Sequence, residues 1–167
     1  MSTGDPLNIT VVTVSDTRTE ETDESGSVLV SCLKEAGHHL QSKQIVKDDV
    51  YEIRSIVSAL IAEPTVQAVL MTGGTGFTAR DTTLVAIKPL LDADIEGFGE
   101  LFRQLSYEEI GTSTVQSRAF AGLANGTILF CMPGSPDACR TGWYKIIAEQ
   151  LDSTHRPCNF VDKLKVD

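Results

Sequence analysis

Four short apolar runs alternate along the chain with longer segments of helical periodicity, and this alternation limits the possible folds strongly. The runs at residues 9–14, 40–46, 66–72 and 127–132 have the length and composition of buried strands. The segments between them repeat apolar residues every three or four positions, which predicts helices at 25–36, 50–62, 82–91, 95–105, 114–121 and 137–151. Parallel neighbouring strands need a crossover, so the alternation predicts an α/β fold with helices on both faces of a parallel sheet.

Length and composition predict one folded domain. The 167 residues are 41% hydrophobic and 22% charged, which is ordinary for a globular protein. We expect a single unit over 1–167, with its core at about 8–152 and a tail at 153–167. The 14 basic and 23 acidic residues give a net charge of −9, which argues against a protein that coats nucleic acid or an anionic membrane.

The compartment and the metal chemistry are also limited by the sequence. The longest unbroken apolar run, residues 128–132, is far shorter than the roughly 20 residues that span a bilayer. The amino terminus lacks a secretory signal, so we expect a cytoplasmic protein. The four cysteines form no CxxC pair and are expected to be reduced and structural. The three histidines have no metal-ligand spacing, which disfavours a structural zinc site.

Each predicted strand is followed at its carboxyl end by a cluster of small or acidic residues. In chain order the clusters are Ser15-Asp16-Thr17, Asp48-Asp49, Gly73-Gly74-Thr75-Gly76 and Pro133-Gly134-Ser135-Pro136. Ligands of open α/β sheets bind outside the carboxyl ends of the strands. The four clusters are therefore predicted to face one crevice.

The glycine run is suited to phosphate. Gly73, Gly74 and Gly76 let backbone amides approach a ligand closely, and a helix start just beyond them adds partial positive charge. A tight turn between strand and helix is the alternative interpretation. The run is not a P-loop, because no lysine follows Gly76 before Lys88.

A dinucleotide-binding fingerprint can also be traced through this segment. Gly74, Gly76 and Ala79 satisfy its spacing, but Arg80 and Asp81 then place charge where that motif packs its helix on the sheet. A dinucleotide-binding oxidoreductase therefore stays open as an alternative function.

Acidic residues at two helix starts have two compatible interpretations. Asp81, and either Asp48 or Asp49, can cap the helix that follows, which is worth about 1 kcal/mol. Two carboxylates beside a phosphate-binding loop also match the ligands of Mg²⁺, which takes one or two carboxylates with phosphate oxygens and water.

Two further segments are candidates for the site. The hydroxyl-rich segment 111–118 ends in Arg118, which would give an acidic protein a local clamp for an anion. Gly97 and Gly99 interrupt a helical pattern, at a cost of about 1 kcal/mol each in a helix interior. Together with Phe98 and Glu100 they indicate a close approach of two backbone segments, or a simple loop.

The ordered combination of these motifs resembles the molybdopterin adenylyltransferases of molybdenum cofactor biosynthesis. The likeness runs from about residue 8 to 160. It rests on Thr72 with the glycine run, on Arg80-Asp81, on Gly97-Phe98-Gly99-Glu100 and on Pro133-Gly134. The segments 106–113, 116–119 and 156–160 look most like the B-protein branch of this family.

The resemblance implies a three-layer α/β/α sandwich that assembles as a homotrimer or homohexamer. The implied reaction is attack by the terminal phosphate of molybdopterin on the α-phosphate of ATP, which gives adenylyl-molybdopterin and pyrophosphate. The two essential aspartates of the family fall on Asp48 and Asp81, which we assign to Mg²⁺ and to orienting the nucleotide phosphates. A downstream metal-insertion protein is an implied partner.

The resemblance also implies roles for the other site residues. The glycine loop, with Thr72, Thr75 and Arg80, would hold phosphate or pterin, and Glu100 belongs to a shared motif. The nucleotide side would be lined by Ser15 and Asp16, and the pterin-phosphate side by Ser117, Arg118, Pro133, Gly134 and Ser135. The chain has Leu84-Val85 where the family commonly has Pro-Glu, and the B-protein branch includes members of doubtful activity. A molybdopterin-binding carrier without turnover is therefore the alternative.

Overall fold

Six strands form one sheet in the computed structural model, which describes residues 4–166. They are β1 Asn8–Val14, β2 His39–Val46, β3 Ala68–Thr72, β4 Ala93–Asp94, β5 Phe120–Ala124 and β6 Thr127–Met132. Their order across the sheet is β2-β1-β3-β6-β5-β4. Only β5 runs antiparallel to its neighbours β4 and β6 among these strands. The four strands predicted from the sequence are confirmed, with β1 paired in parallel to both β2 and β3.

Helices cover both faces of the sheet. They are α1 Glu24–Glu35, α2 Val50–Ala62, α3 Thr83–Ile87, α4 Glu96–Ile110, α5 Pro136–Gly142 and α6 Ala148–Gln150, with a π-helical turn at Trp143–Ile147 between the last two. Short 3₁₀ helices occur at Lys88–Leu90, Gly111–Gln116 and Val161–Lys163. None of the helices in residues 4–166 is long and apolar enough to cross a membrane.

Alternate residues of the central strands pack into two separate hydrophobic cores, one on each face of the sheet. Ile9 and Val11 of β1 pack on the face covered by α1, α4 and α5. Val12 and Val14 pack on the opposite face, against α2 and α3. This period-2 alternation with both faces buried is expected of a parallel sheet between helical layers. The predicted α/β class, with a mostly parallel sheet in a three-layer sandwich, is confirmed.

The predicted helix at 114–121 is wrong. Its first part is the end of the 3₁₀ helix Gly111–Gln116, and its last two residues, Phe120 and Ala121, begin strand β5. Phe120 packs in one core and Ala121 in the other, so β5 is buried on both faces. The hairpin to β6 turns at Asn125 and Gly126, which have φ angles of +50° and +72°. Asn-Gly at such a turn is a strong hairpin signal, and it was the sequence feature that marked this strand.

The segment after residue 152 packs on the body of the domain. Leu164 is buried in the first core. The Lys165 amide donates to the carbonyl oxygen of Gly126 at 2.8 Å, and the Lys165 Nζ donates to that of Ile61 at 2.6 Å. Residues 153–166 are therefore joined to the end of α2 and to the β5–β6 turn.

The cysteines are all free thiols. Cys32, Cys131 and Cys139 are buried. Cys158 is exposed, so the expectation of a structural role for all four cysteines is not met by burial at this position.

His38 makes stability depend on pH. Its Nδ1 accepts a hydrogen bond from the Leu7 amide at 3.1 Å, and its ring lies edge-on to Trp143. Burial lowers the pKa of His38, so the folded protein holds the ring neutral. We expect the free energy of unfolding to fall as the pH drops below about 6.5, because the unfolded chain takes up the proton first. Each unit of lowered pKa corresponds to about 1.4 kcal/mol.

Urea unfolding at pH 7.5 and pH 5.5 measures this effect in the wild type and in His38→Gln. The loss of stability on acidification should be smaller in His38→Gln, because glutamine does not titrate. An equal loss in both proteins would show that His38 is not the group responsible.

Candidate active site

The carboxyl ends of β1, β3 and β6 border a cavity of about 600 Å³. The chain leaves β1 toward β2 on one side and returns to β3 on the other, so the cavity lies where the strand order reverses. Such a switch point is the usual ligand site of an open α/β sheet. The predicted site residues that line this cavity are Ser15, Asp16, Asp48, Gly73, Gly74, Thr75, Gly76, Arg80, Asp81, Ser117, Pro133, Gly134 and Ser135.

The glycine loop after β3 needs glycine at its first two positions. Gly73 has φ +103°, and a Cβ there would overlap the carbonyl oxygen of Val14. Gly74 has φ +68°, and its Cβ would overlap the hydroxyl of Thr83, which donates to the Gly73 carbonyl oxygen at 2.9 Å. Within residues 4–166 the amides of Gly74 and Thr75 find no acceptor. The loop thus offers backbone donors to an anionic ligand in the cavity.

Asp49 caps α2, whereas Asp48 lines the cavity. The Asp49 Oδ1 accepts from the amides of Tyr51 at 3.0 Å and Glu52 at 2.9 Å. No side chain in the described part of the chain donates a hydrogen bond to the Asp48 carboxylate. Partial burial, with the negative charges of Asp16 and Asp81 nearby, raises the pKa of Asp48. The positive charge of Arg80 nearby acts in the opposite direction but does not outweigh these effects. The carboxylate is thus free of side-chain donors among the described residues, which suits it to bind a cation.

Asp81 does not cap a helix, in contrast to the capping interpretation. Thr82 precedes α3 and makes no side-chain cap. Instead, the Asp81 Oδ2 accepts from the amide of Thr78 at 3.0 Å and from its hydroxyl at 2.7 Å. Partial burial acts to raise the pKa of Asp81, but these bonds and the Gly76 amide outweigh it and lower the pKa. Asp81 is thus an ionised carboxylate in a fixed position.

Arg80 lies against Asp16 at the cavity wall. Its Nε and Nη2 donate to the two carboxylate oxygens of Asp16, both at 2.8 Å. The Asp16 Oδ1 also accepts from the Asp48 amide at 3.1 Å, which joins the loops after β1 and β2. The hydrogen bond from Arg80 is the main reason that the pKa of Asp16 is lowered. The ion pair is exposed, so its strength is low and a phosphate can compete for Arg80.

The donor set is compatible with Mg²⁺. Among residues 4–166, no three His, Cys, Asp or Glu side chains lie close enough to hold a metal ion by themselves. Asp48 and Asp81 interact electrostatically and both line the cavity. Mg²⁺ is commonly held by one or two carboxylates, with the other ligands from substrate phosphates and water. The residues fit an ion that arrives with a phosphorylated substrate.

Three predicted site residues lie outside the main cavity. Thr72 is fully buried, and its hydroxyl donates to the carbonyl oxygen of Pro133 at 2.9 Å. Glu100 and Arg118 line a second cavity of about 480 Å³, beside α4 and β5. The close approach predicted for the glycine pair holds for Gly99 alone, where a Cβ would lie 2.6 Å from the Ala119 carbonyl oxygen. Gly97 has open space around it.

Sequence reasoning missed another part of the cavity wall. The residues come from α4: Phe102, Ser106 and Ile110. The predicted helix stopped at 105, so the last turn of α4 was left out. Ser113 and Gln116 also line the cavity, and they belong to the candidate segment 111–118, although its second half was assigned to a helix.

The fold and the cavity define an α/β ligand-binding domain whose site lies at the switch point of the sheet. The sequence model of the family described as "Probable molybdopterin binding domain" matches residues 10–153. The chain belongs to this family, which includes the molybdenum cofactor biosynthesis B proteins.

Individual relatives agree with this assignment. The chain is 58% identical over 160 residues to molybdenum cofactor biosynthesis protein B of Escherichia coli K12, covering 96% of this chain and 94% of that protein. The protein of the same name from Bacillus cereus is 51% identical over 142 residues, 84% of each chain.

Solved structures agree as well. A crystal structure of a molybdenum cofactor biosynthesis protein B has a TM-score of 0.86 and 48% identity, over 89% of this chain and 92% of that one. The tungsten cofactor synthesizing protein MoaB from Pyrococcus furiosus has a TM-score of 0.75 and 38% identity, over 86% of this chain and 92% of that one.

Proposed function

We propose that this protein acts in molybdenum cofactor biosynthesis as a Mg²⁺-dependent molybdopterin adenylyltransferase. The terminal phosphate of molybdopterin would attack the α-phosphate of ATP, the bond to the β-phosphate would break, and pyrophosphate would leave. The product would be adenylyl-molybdopterin. The observation that carries this proposal is that Asp48 and Asp81 share one cavity wall with the glycine loop, whose Gly74 and Thr75 amides have no acceptor within residues 4–166.

The protein groups would act by positioning and by balancing charge, as phosphoryl transfer requires. The amides of Gly74 and Thr75 would donate to phosphate oxygens. Arg80 would exchange the Asp16 carboxylate for a phosphate oxygen. Asp48 and Asp81 would hold the Mg²⁺, which when bound neutralises charge on the triphosphate.

Ser117 supports a phosphate at the other side of the site. Ser117 lines both cavities, and its hydroxyl is buried and has no hydrogen-bond partner within the described residues. A buried hydroxyl without a partner costs about 1–3 kcal/mol, and a phosphate oxygen would satisfy it. We place the pterin phosphate beside Ser117, Gly134 and Ser135, and the nucleotide beside Ser15 and Asp16.

Assembly, partner and location belong to the same proposal. The homotrimer or homohexamer, the contact with a downstream metal-insertion protein and the cytoplasmic location stay predictions from the sequence. Sedimentation of the purified protein tests the first of them.

A non-catalytic molybdopterin carrier is the second candidate. It is favoured by Leu84-Val85 in α3, because the first turn of this helix has no acidic residue. The same cavity would then bind molybdopterin without turnover.

The experiment is a pyrophosphate-release assay with ATP, molybdopterin and Mg²⁺, run beside a direct binding measurement for molybdopterin. Pyrophosphate should appear only with all three components, and EDTA should stop its release. Binding of the pterin without pyrophosphate release would contradict the adenylyltransferase and support the non-catalytic carrier. Tight binding of NAD with no binding of molybdopterin would favour the dinucleotide-binding oxidoreductase instead.

A further inference from the structure

We propose that Arg118 is a positioning residue that fixes the loop 75–81 and thereby the carboxylate of Asp81. This inference rests on the proposed adenylyl transfer, and it replaces the sequence-based expectation that Arg118 clamps a substrate anion. The Nη2 of Arg118 donates to the protein's own backbone, and the side chain lines the second cavity and not the main one.

One side chain joins both ends of the loop. The Nη2 of Arg118 donates to the carbonyl oxygen of Gly76 at the start of the loop. It also donates to the carbonyl oxygen of Asp81 at the end of the loop, at 3.2 Å. The Arg118 amide donates to the Thr75 carbonyl oxygen at 3.0 Å. Between these points lies Thr78, which donates both of its hydrogen bonds to the Asp81 carboxylate. The orientation of Asp81 thus depends on a loop that is held closed by Arg118.

Phe77 completes the contact. The Arg118 guanidinium lies 4.6 Å from the centre of the Phe77 ring, within the range of a cation–π interaction. Phe77 is 65% exposed, and its ring is a platform for the planar guanidinium at the surface of the loop.

The backbone around Arg118 is held in turn by α4. The Nη1 of Arg103 donates to the Ala119 carbonyl oxygen at 3.0 Å and reaches that of Ser117 at 3.5 Å. These carbonyls flank Arg118. A Cβ on Gly99 would lie 2.9 Å from the Arg103 guanidinium, so glycine leaves room for this arrangement. The glycine-containing start of α4 is thereby connected to Asp81 through Arg103 and Arg118.

Loss of the guanidinium would release both ends of the loop 75–81. The hydrogen bonds from Thr78 would then no longer hold the Asp81 carboxylate in one orientation.

The test compares Arg118→Lys and Arg118→Gln with the wild type. A lysine keeps the positive charge, but its ammonium group cannot donate to both carbonyl oxygens and also stack on Phe77 as the planar guanidinium does. We expect kcat to fall about 10- to 100-fold in both variants, with KM for ATP and Kd for molybdopterin within about threefold. Arg140→Gln, on an exposed ion pair of α5, is the matched control and should change none of these quantities.

A tenfold or larger rise in Kd for molybdopterin with kcat preserved would overturn the proposal, because it would make Arg118 a substrate ligand. Amide hydrogen exchange in the loop 75–81 tests the same point without turnover. The Thr78 amide, which donates to the Asp81 carboxylate, should exchange faster by about tenfold or more in Arg118→Gln than in the wild type, and no change would also overturn the proposal. If the wild type proves inactive, the adenylyl-transfer reaction fails while this exchange measurement still decides the role of Arg118. Circular dichroism verifies the fold, and Arg118→Lys serves if Arg118→Gln is unfolded.

Discussion

Replacing Asp48 with Asn is expected to lower kcat for adenylyl transfer by about 100-fold or more, because it removes a charge that neutralises and orients the reacting phosphates. The same change should slightly raise the free energy of unfolding at pH 7. The raised pKa of Asp48 means that ionisation costs folding free energy above the normal aspartate pKa, and Asn removes that cost. Pyrophosphate release and urea unfolding measure the two effects.

Asp49→Asn is the matched control. It makes the same chemical change at the next residue, whose carboxylate caps α2 outside the cavity. Asparagine is also a good cap, so both activity and stability should stay close to those of the wild type. Equal loss of activity in the two variants would mean that Asp48 has no special role.

Replacing Gly73 with Ala is expected to destabilise the protein by about 3 kcal/mol or more and to abolish binding of molybdopterin. The φ of +103° is unfavourable for alanine, and the added Cβ would overlap the backbone of Val14 in the adjacent strand. The loop must then move, and its amides with it. Thermal unfolding and a molybdopterin-binding titration measure the outcome.

Gly37→Ala separates the two causes of this effect. Gly37 has a similar φ of +89°, at the end of α1, but nothing lies within 4 Å of an added Cβ. Only the backbone penalty of about 1–2 kcal/mol applies there, and binding should be unchanged. If Gly73→Ala were no worse than Gly37→Ala, close packing of the glycine loop on β1 would not be important.

The convergence of the four clusters after the strands could be predicted from the sequence, because the carboxyl ends of parallel strands share one edge of the sheet. Strand β5 was missed although Asn125-Gly126 marked its turn, since the residues before it also fit a helical period. Asp48 and Asp49 have different roles because only the Asp49 carboxylate accepts hydrogen bonds from the first amides of α2. Both residues directly precede the helix, so the sequence does not show which of them is the cap. The hydrogen-bond acceptors of Arg118 are backbone carbonyl oxygens, which any residue type supplies and which therefore cannot be identified from the sequence.

Transfer of label from ATP labelled at the α-phosphate tests the central claim most directly. The wild-type protein, incubated with Mg²⁺ and molybdopterin, should place the label on the pterin in a 1:1 ratio to the pyrophosphate released. Asp49→Asn should do the same, and Asp48→Asn should not. If the label stays in ATP, or appears only in free AMP while molybdopterin is bound unchanged, the protein is not an adenylyltransferase.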